Sequence, residues 1–385
     1  MDTTGLTGVA RHAEALFTPF RIAGLSLENR LVMAPMTRCF SPGGVPGADV
    51  AAYYRRRAEG GVGLIITEGT WIPHAGASND ENVPRFYGED ALAGWKKVVD
   101  AVHAAGGRIM PQLWHVGLQI KPVIEGIYDA KGMVEPRHVG PSGIVGGIGT
   151  PLAPMAPPMT KVQIDEVREA YVSAAVSAFQ LGFDGVELHA AHGYVIDQFL
   201  WEATNRRTDD YGGSFANRSR FAAGIVAGIR RATAPDFPIL FRISQWKAQD
   251  YTARLAQNPQ ELEAVISPLV EAGVDLFDCS TRRFGEPEFA GSDLNLAGWV
   301  KKLSGVPVMT VGSVGLDREM LDTLFGETAA PASIDQALAM LERHDVDLIG
   351  VGRGLISNPD WAHKVRKGQF DRLSPYVPAL LETLE

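Results

Sequence analysis

Cysteine is nearly absent: the 385 residues include two, Cys39 and Cys279. That excludes a disulfide framework, a Cys-rich zinc site and an iron–sulfur cluster, each of which needs more thiols. Long apolar runs are also lacking, and no stretch approaches the roughly 20 residues that a membrane span requires. Basic side chains are in deficit, 36 against 45 acidic, for a formal charge of −9. Nucleic acid is therefore not expected as a partner, because phosphate backbones demand a basic face. The opening residues Met1-Asp-Thr-Thr-Gly-Leu-Thr-Gly-Val-Ala10 carry no basic region followed by an apolar one. No signal peptide is read there, and the chain is expected to be cytoplasmic.

What is present is a regular alternation. Short apolar runs, of the kind that parallel strands buried on both faces require, take turns with helical periodicity. The strands read as Arg30–Pro35, Val62–Thr67, Arg108–Leu113, Gly185–His189, Ile239–Ile243, Leu276–Cys279, Val308–Val311 and Leu348–Val351. The intervening helices read as Ala48–Glu59, Glu89–Ala105, Lys161–Leu181, Asn217–Thr233, Pro259–Ala272, Ala297–Ser304, Ser333–Arg343 and Asp360–Lys367, several of them closed by glycine. Eight strand–helix units predict a TIM (β/α)8 barrel rather than a doubly wound sheet, which usually stops at five or six strands. The chain is expected to form a single domain over residues 1–385. Two segments stand outside the repeat. Phe17–Leu27 resembles a hairpin turning at Ala23-Gly24, placed to plug the barrel bottom. Residues 116–160 hold 8 Gly and 7 Pro without helical period. Long loops of this kind are usually functional or disordered, and this one, leaving strand three, is expected to cap the catalytic face.

Chemistry on this fold lies at the C-terminal strand ends. Those ends carry Ala34-Pro-Met-Thr-Arg38, Thr67-Glu-Gly69, Gln112-Leu-Trp-His115, His189-Ala-Ala-His-Gly-Tyr194, Arg242-Ile-Ser244, Cys279-Ser-Thr281, Gly312-Ser313 and Gly350-Val-Gly-Arg353. Donors dominate, and no carboxylate pair of the glycosidase type is evident. Gly312, Ser313, Gly352 and Arg353 stand where this fold commonly binds phosphate, with backbone N–H groups and a guanidinium to neutralise it. His189 and His192 read either as an oxyanion-binding pair, as unrelated structural histidines, or, with His115, as metal ligands.

In order and spacing these segments resemble the old yellow enzyme family, FMN-dependent ene reductases built on a TIM barrel. The resemblance runs from about Leu16 to Gly368. It is carried by Glu28–Arg38, Pro111–His115, Gly182–Tyr194, Gln198-Phe-Leu200, Asn205–Ser214, Gly352-Arg353 and Asn358-Pro359. It implies FMN as cofactor, NADH or NADPH as reductant, and an activated alkene as small-molecule substrate. It further implies that His189 and His192 hold the substrate's carbonyl oxygen and that Tyr194 protonates its α-carbon. A phenol, with a pKa of about 10 in water, is protonated at neutral pH and needs no tuning to donate. Pro35, Met36, Thr37, Gly69 and Gln112 would line the isoalloxazine, and Arg242 would face its pyrimidine edge, where a fixed cation raises the flavin potential.

Three other readings remain at this level: a barrel dehydrogenase oxidising an amine or alcohol, a metal-dependent barrel hydrolase using His115, His189 and His192, and a flavin-binding sensor without turnover. A homo-oligomer is possible. Several stretches depart from the family pattern: Val116-Gly-Leu-Gln119, Trp201, Gln245-Trp-Lys247 and Arg282-Arg-Phe284. Trp71, Trp114 and Tyr376 are candidate pocket walls.

Overall fold

The computed structural model describes residues 13–78, 80–118, 139–146 and 151–385. After a hairpin of β1 (Phe20–Ile22) and β2 (Leu25–Leu27) come the barrel strands β3 (Leu31–Met33), β4 (Leu64–Trp71) and β5 (Ile109–Trp114). A short antiparallel pair, β6 (Ile144–Val145) and β7 (Ala153–Pro154), precedes β8 (Val186–His189). The barrel is completed by β9 (Ile239–Ile243), β10 (Leu276–Ser280), β11 (Val308–Val311) and β12 (Leu348–Val351). It closes in the order β10-β11-β12-β3-β4-β5-β8-β9, with every barrel pairing parallel. The expected TIM barrel is the fold.

Strand alternation sorts each side chain inward or outward. Val32, Leu64, Ile66, Met110, Leu240, Leu276, Met309 and Leu348 form one apolar cluster inside the barrel. Ile22, Leu25 and Leu27 of the hairpin join that cluster, so the hairpin packs as a plug. Residues of the opposite parity, such as Leu31, Ile65, Phe241 and Phe277, pack against the surrounding helices.

Helix ends follow local capping chemistry. Thr160 and Gln163 form a reciprocal capping box at the start of the helix Lys161–Leu181, and Gly182 ends it in the left-handed conformation. The expected spans Ala48–Glu59, Lys161–Leu181 and Pro259–Ala272 coincide with observed helices. Strand one stops earlier than expected, at Met33, because Pro35 has no amide hydrogen with which to extend the ladder. Strand two runs past its expected end to Trp71 across a register shift between Ile66 and Gly69. The helices Val195–Leu200, Met320–Leu324 and Arg353–Ser357 are too short to show periodicity in sequence.

Much of the proposed cap, residues 119–138 and 147–150, lies outside the described residues. Its base is tied to the barrel. Arg207 donates to the carbonyls of Pro141 (2.8 Å) and Met159 (2.6 Å) and is itself held by Asp209.

Candidate active site

A polar layer replaces the apolar interior near the C-terminal ends of β5, β8, β9 and β10. Arg242 donates to Asp278 Oδ2 at 2.6 Å and to Ser280 Oγ at 3.3 Å, and its Nε has no acceptor. Gln112 donates to Glu187 Oε1 at 2.7 Å. Burial raises the pKa of both Glu187 and Asp278, and the charge of Asp278 pushes Glu187 up further. Sequence reasoning missed Glu187, Asp278 and Ser280. Their signal was parity: Glu187 lies two residues before His189, and Asp278 pairs in register with Arg242.

Above this layer three of the predicted residues meet. The ring centroids of His189 and His192 lie 5.1 Å apart at right angles, and Tyr194 stands edge-to-face against His189 at 4.7 Å. Trp114 contacts both Tyr194 (5.0 Å) and His189 (6.2 Å), so it is a wall of this cluster. Burial, reinforced by Arg242, holds the pKa of His189 well below the ordinary histidine value. His192 is lowered too, by burial first and then by His189, Arg242 and Lys247. Both imidazoles are therefore neutral donor/acceptors at pH 7. His189 Nδ1 has no partner, whereas His192 Nε2 lies 2.9 Å from Ser280 Oγ.

Pro35 and Met36 are half-buried and Thr37 is exposed, all at the mouth just beyond β3. Their loop is fastened by Glu68, whose Oε2 accepts from the N–H groups of Arg38 (2.9 Å) and Cys39 (3.0 Å). Glu68 lies within the register shift of β4 between Ile66 and Gly69. Burial pushes the Glu68 pKa up to about 7 against the pull of those two bonds. Gly69 leaves room for an indole: a Cβ there would lie 2.7 Å from Trp114 Cε3.

Gly312, Ser313, Gly352 and Arg353 converge. Arg353 Nη2 reaches Ser313 Oγ (3.3 Å) and the Arg318 carbonyl (2.7 Å), while Nη1 reaches the Glu319 carbonyl (3.0 Å) and Thr323 Oγ1 (2.8 Å). None of these four acceptors is a carboxylate. Tyr376 packs beside this corner, with the Arg353 guanidinium over its ring at 5.6 Å. Trp71 donates its indole N–H to the Val83 carbonyl and stands behind Trp114.

His115 does not join the other histidines as a metal ligand. Its Nδ1 accepts from Gly117 N–H and its Nε2 faces His74 Nδ1 at 2.9 Å. Among the described residues no three His, Cys, Asp or Glu side chains are placed to hold a metal ion. Of the three ligands that the hydrolase alternative needs, His115 has both ring nitrogens engaged, by His74 and by Gly117.

The family model for the NADH:flavin oxidoreductase / NADH oxidase family matches residues 15–372. The chain is 34% identical over 365 residues to 12-oxophytodienoate reductase 7 of Oryza sativa subsp. japonica, covering 91% of this chain and 87% of that one. Among solved structures it resembles morphinone reductase in complex with tetrahydroNAD, with a TM-score of 0.76 and 29% identity over 95% of this chain and 93% of that one. The old yellow enzyme homologue from Zymomonas mobilis gives a TM-score of 0.76 at 26% identity, with 95% and 96% covered. The chain belongs to the NADH:flavin oxidoreductase / NADH oxidase family, that of the old yellow enzymes, and is an NAD(P)H:flavin oxidoreductase whose cofactor is FMN.

Proposed function

We propose that the protein is an ene reductase, using NAD(P)H to saturate an alkene conjugated to a carbonyl or similar electron-withdrawing group. The observation that carries this reading is the cluster of His189, His192 and Tyr194 above a buried arginine at the barrel mouth.

The donors present fit FMN. Arg242 has a buried Nε without an acceptor, suited to the electron-rich pyrimidine edge of a flavin. Arg353 hydrogen-bonds only neutral oxygens, so no carboxylate is bonded to it and its charge suits a phosphate. We assign Pro35, Met36, Thr37, Gly69, Gln112 and Arg242 to the ring system, and Gly312, Ser313, Gly352 and Arg353 to the phosphate. FMN, when bound, supplies the hydride carrier between NAD(P)H and the alkene.

The residues of the chain do the rest. Hydride arriving at the β-carbon pushes negative charge onto the carbonyl oxygen, and fixed N–H donors from His189 and His192 stabilise it in a water-poor site. Ser280 Oγ accepts from Arg242 and lies within hydrogen-bond distance of His192 Nε2. With the Ser280 hydroxyl donating to Nε2, the neutral imidazole carries its own proton on Nδ1 and presents it to the substrate. Tyr194 gives its phenolic proton to the α-carbon and recovers one from solvent. The sum is one hydride and one proton added across the double bond.

Tyr194→Phe separates the two halves of the cycle in stopped-flow experiments. Reduction of the FMN-loaded protein by NAD(P)H is expected to stay within about threefold of wild type. Reoxidation by 2-cyclohexenone should slow by about a hundredfold or more, the usual contribution of a positioned acid. An unchanged alkene rate would remove Tyr194 from its role.

A further inference from the structure

The residues that depart from the family pattern after strand five gather behind His192. His192 has φ 64, an unusual value for a residue with a side chain. Such backbone is strained and persists only where its surroundings fix it. Here the segment 244–248 fixes it. His192 N–H donates to Ser244 Oγ (3.0 Å), and Ala248 N–H donates to the His192 carbonyl (3.1 Å). The next amide, Gly193 N–H, donates to Asp197 Oδ2 at 2.7 Å. Asp197 in turn is paired at 2.6 Å with Lys247, both side chains fully buried. Lys247 lies 6.0 Å from the centre of the Trp201 ring, so two departures distant in sequence meet on one ion pair.

The imidazole is held as firmly as its backbone. The indole of Trp246 stacks on it, with centroids 4.2 Å apart and planes 25° from parallel. Tyr251 stacks on Trp246 with centroids 5.4 Å apart, and Arg282, itself bound to Glu319, lies over Tyr251 at 5.3 Å. The Trp246 indole N–H is buried without an acceptor. An unmade bond of that sort disfavours the fold, so hydrogen bonding does not explain the placement of this indole; its face does. One ring edge of His192 is bonded to Ser280 and one face is covered by Trp246, which leaves a single orientation.

The geometry points to Trp246 as a positioning residue: by stacking on His192 it fixes the donor that holds the substrate's oxygen and so sets how tightly an oxyanionic ligand is bound. This rests on the assignment of His192 as a substrate donor. Trp246 touches no reacting atom in this scheme and acts through the imidazole alone.

The test is binding rather than turnover. FMN-loaded wild type, Trp246→Phe and Trp246→Leu are titrated with para-hydroxybenzaldehyde, whose phenolate stacked on flavin gives a long-wavelength charge-transfer band. Trp246→Phe keeps a ring over His192 and should bind within about threefold of wild type. Trp246→Leu frees the imidazole and should weaken binding at least tenfold, about 1.4 kcal/mol, with the flavin content unchanged. Trp246→Met, a side chain that fills irregular gaps, serves if the leucine variant does not fold. A wild type with the band and a leucine or methionine variant that binds equally well overturns this inference alone. Equal losses in Trp246→Phe and Trp246→Leu overturn it as well, because stacking would then not be the cause. A wild type that gives no band overturns the reading of the site and this inference with it.

Discussion

Arg242 and Asp278 form an ion pair at 2.6 Å inside the barrel, with 7% and 0% of their side chains exposed. They are register partners on neighbouring strands, so strand pairing itself brings the charges together. Removing one member of such a pair strands the other in a poorly solvating interior. Arg242→Met should therefore destabilise the protein by about 3 kcal/mol, read as a lower urea midpoint at unchanged slope. A midpoint equal to wild type would show that Asp278 is not held as a charge.

Glu68 predicts a dependence on pH. Its pKa is pushed up to about 7 in the fold, from an ordinary carboxylate value near 4.5. Between those values the folded protein holds a proton that the unfolded chain has released, so this group's contribution to stability falls as pH rises through the window. Glu68→Gln removes that slope and keeps an oxygen for the two N–H groups. Its stability relative to wild type should rise from pH 4.5 to 7, by at most about 1.4 kcal/mol per unit, and level off above. Thermal melts of both proteins across pH 4.5–8 check this; a constant difference would contradict it.

Gly69 is explained by the indole it accommodates. In Gly69→Ala the new methyl would sit 2.7 Å from Trp114 Cε3, and Trp114 in turn touches Tyr194 and His189. Overpacking of this kind costs typically 1–3 kcal/mol. The variant should melt several degrees lower, with altered Trp114 environment in near-ultraviolet circular dichroism. A variant indistinguishable from wild type would mean that the indole moves freely.

Arg353 should matter to cofactor retention more than to the fold. Arg353→Ala removes a charge-assisted donor from the phosphate corner, worth about 1.5–3 kcal/mol. FMN should dissociate at least tenfold more readily, measured by flavin fluorescence on dilution, and Arg353→Lys should recover part of the loss. Unaltered FMN affinity would place the phosphate elsewhere.

The barrel was legible because each strand–helix unit is local, and a short apolar run closed by glycine declares itself. The cluster of His189, His192 and Tyr194 was legible for the same reason, since all three leave one strand end. The Arg242 partner was not, because Asp278 is 36 residues away in sequence and reads as an ordinary strand charge until parity is known. Glu68 accepts from a loop 30 residues earlier and lies in a register shift, neither of which composition signals. Gln245-Trp-Lys247 and Trp201 could be seen as departures in sequence. What joins them, the buried pair of Lys247 and Asp197 beside His192, exists only once the barrel closes.

The most direct test of the central claim is the product formed from 2-cyclohexenone and NAD(P)H by the FMN-loaded protein without oxygen. The account predicts cyclohexanone, with the double bond saturated and the carbonyl intact, formed in step with NAD(P)H consumed. Recovery of unreacted enone, or of an allylic alcohol with its double bond preserved, would contradict it.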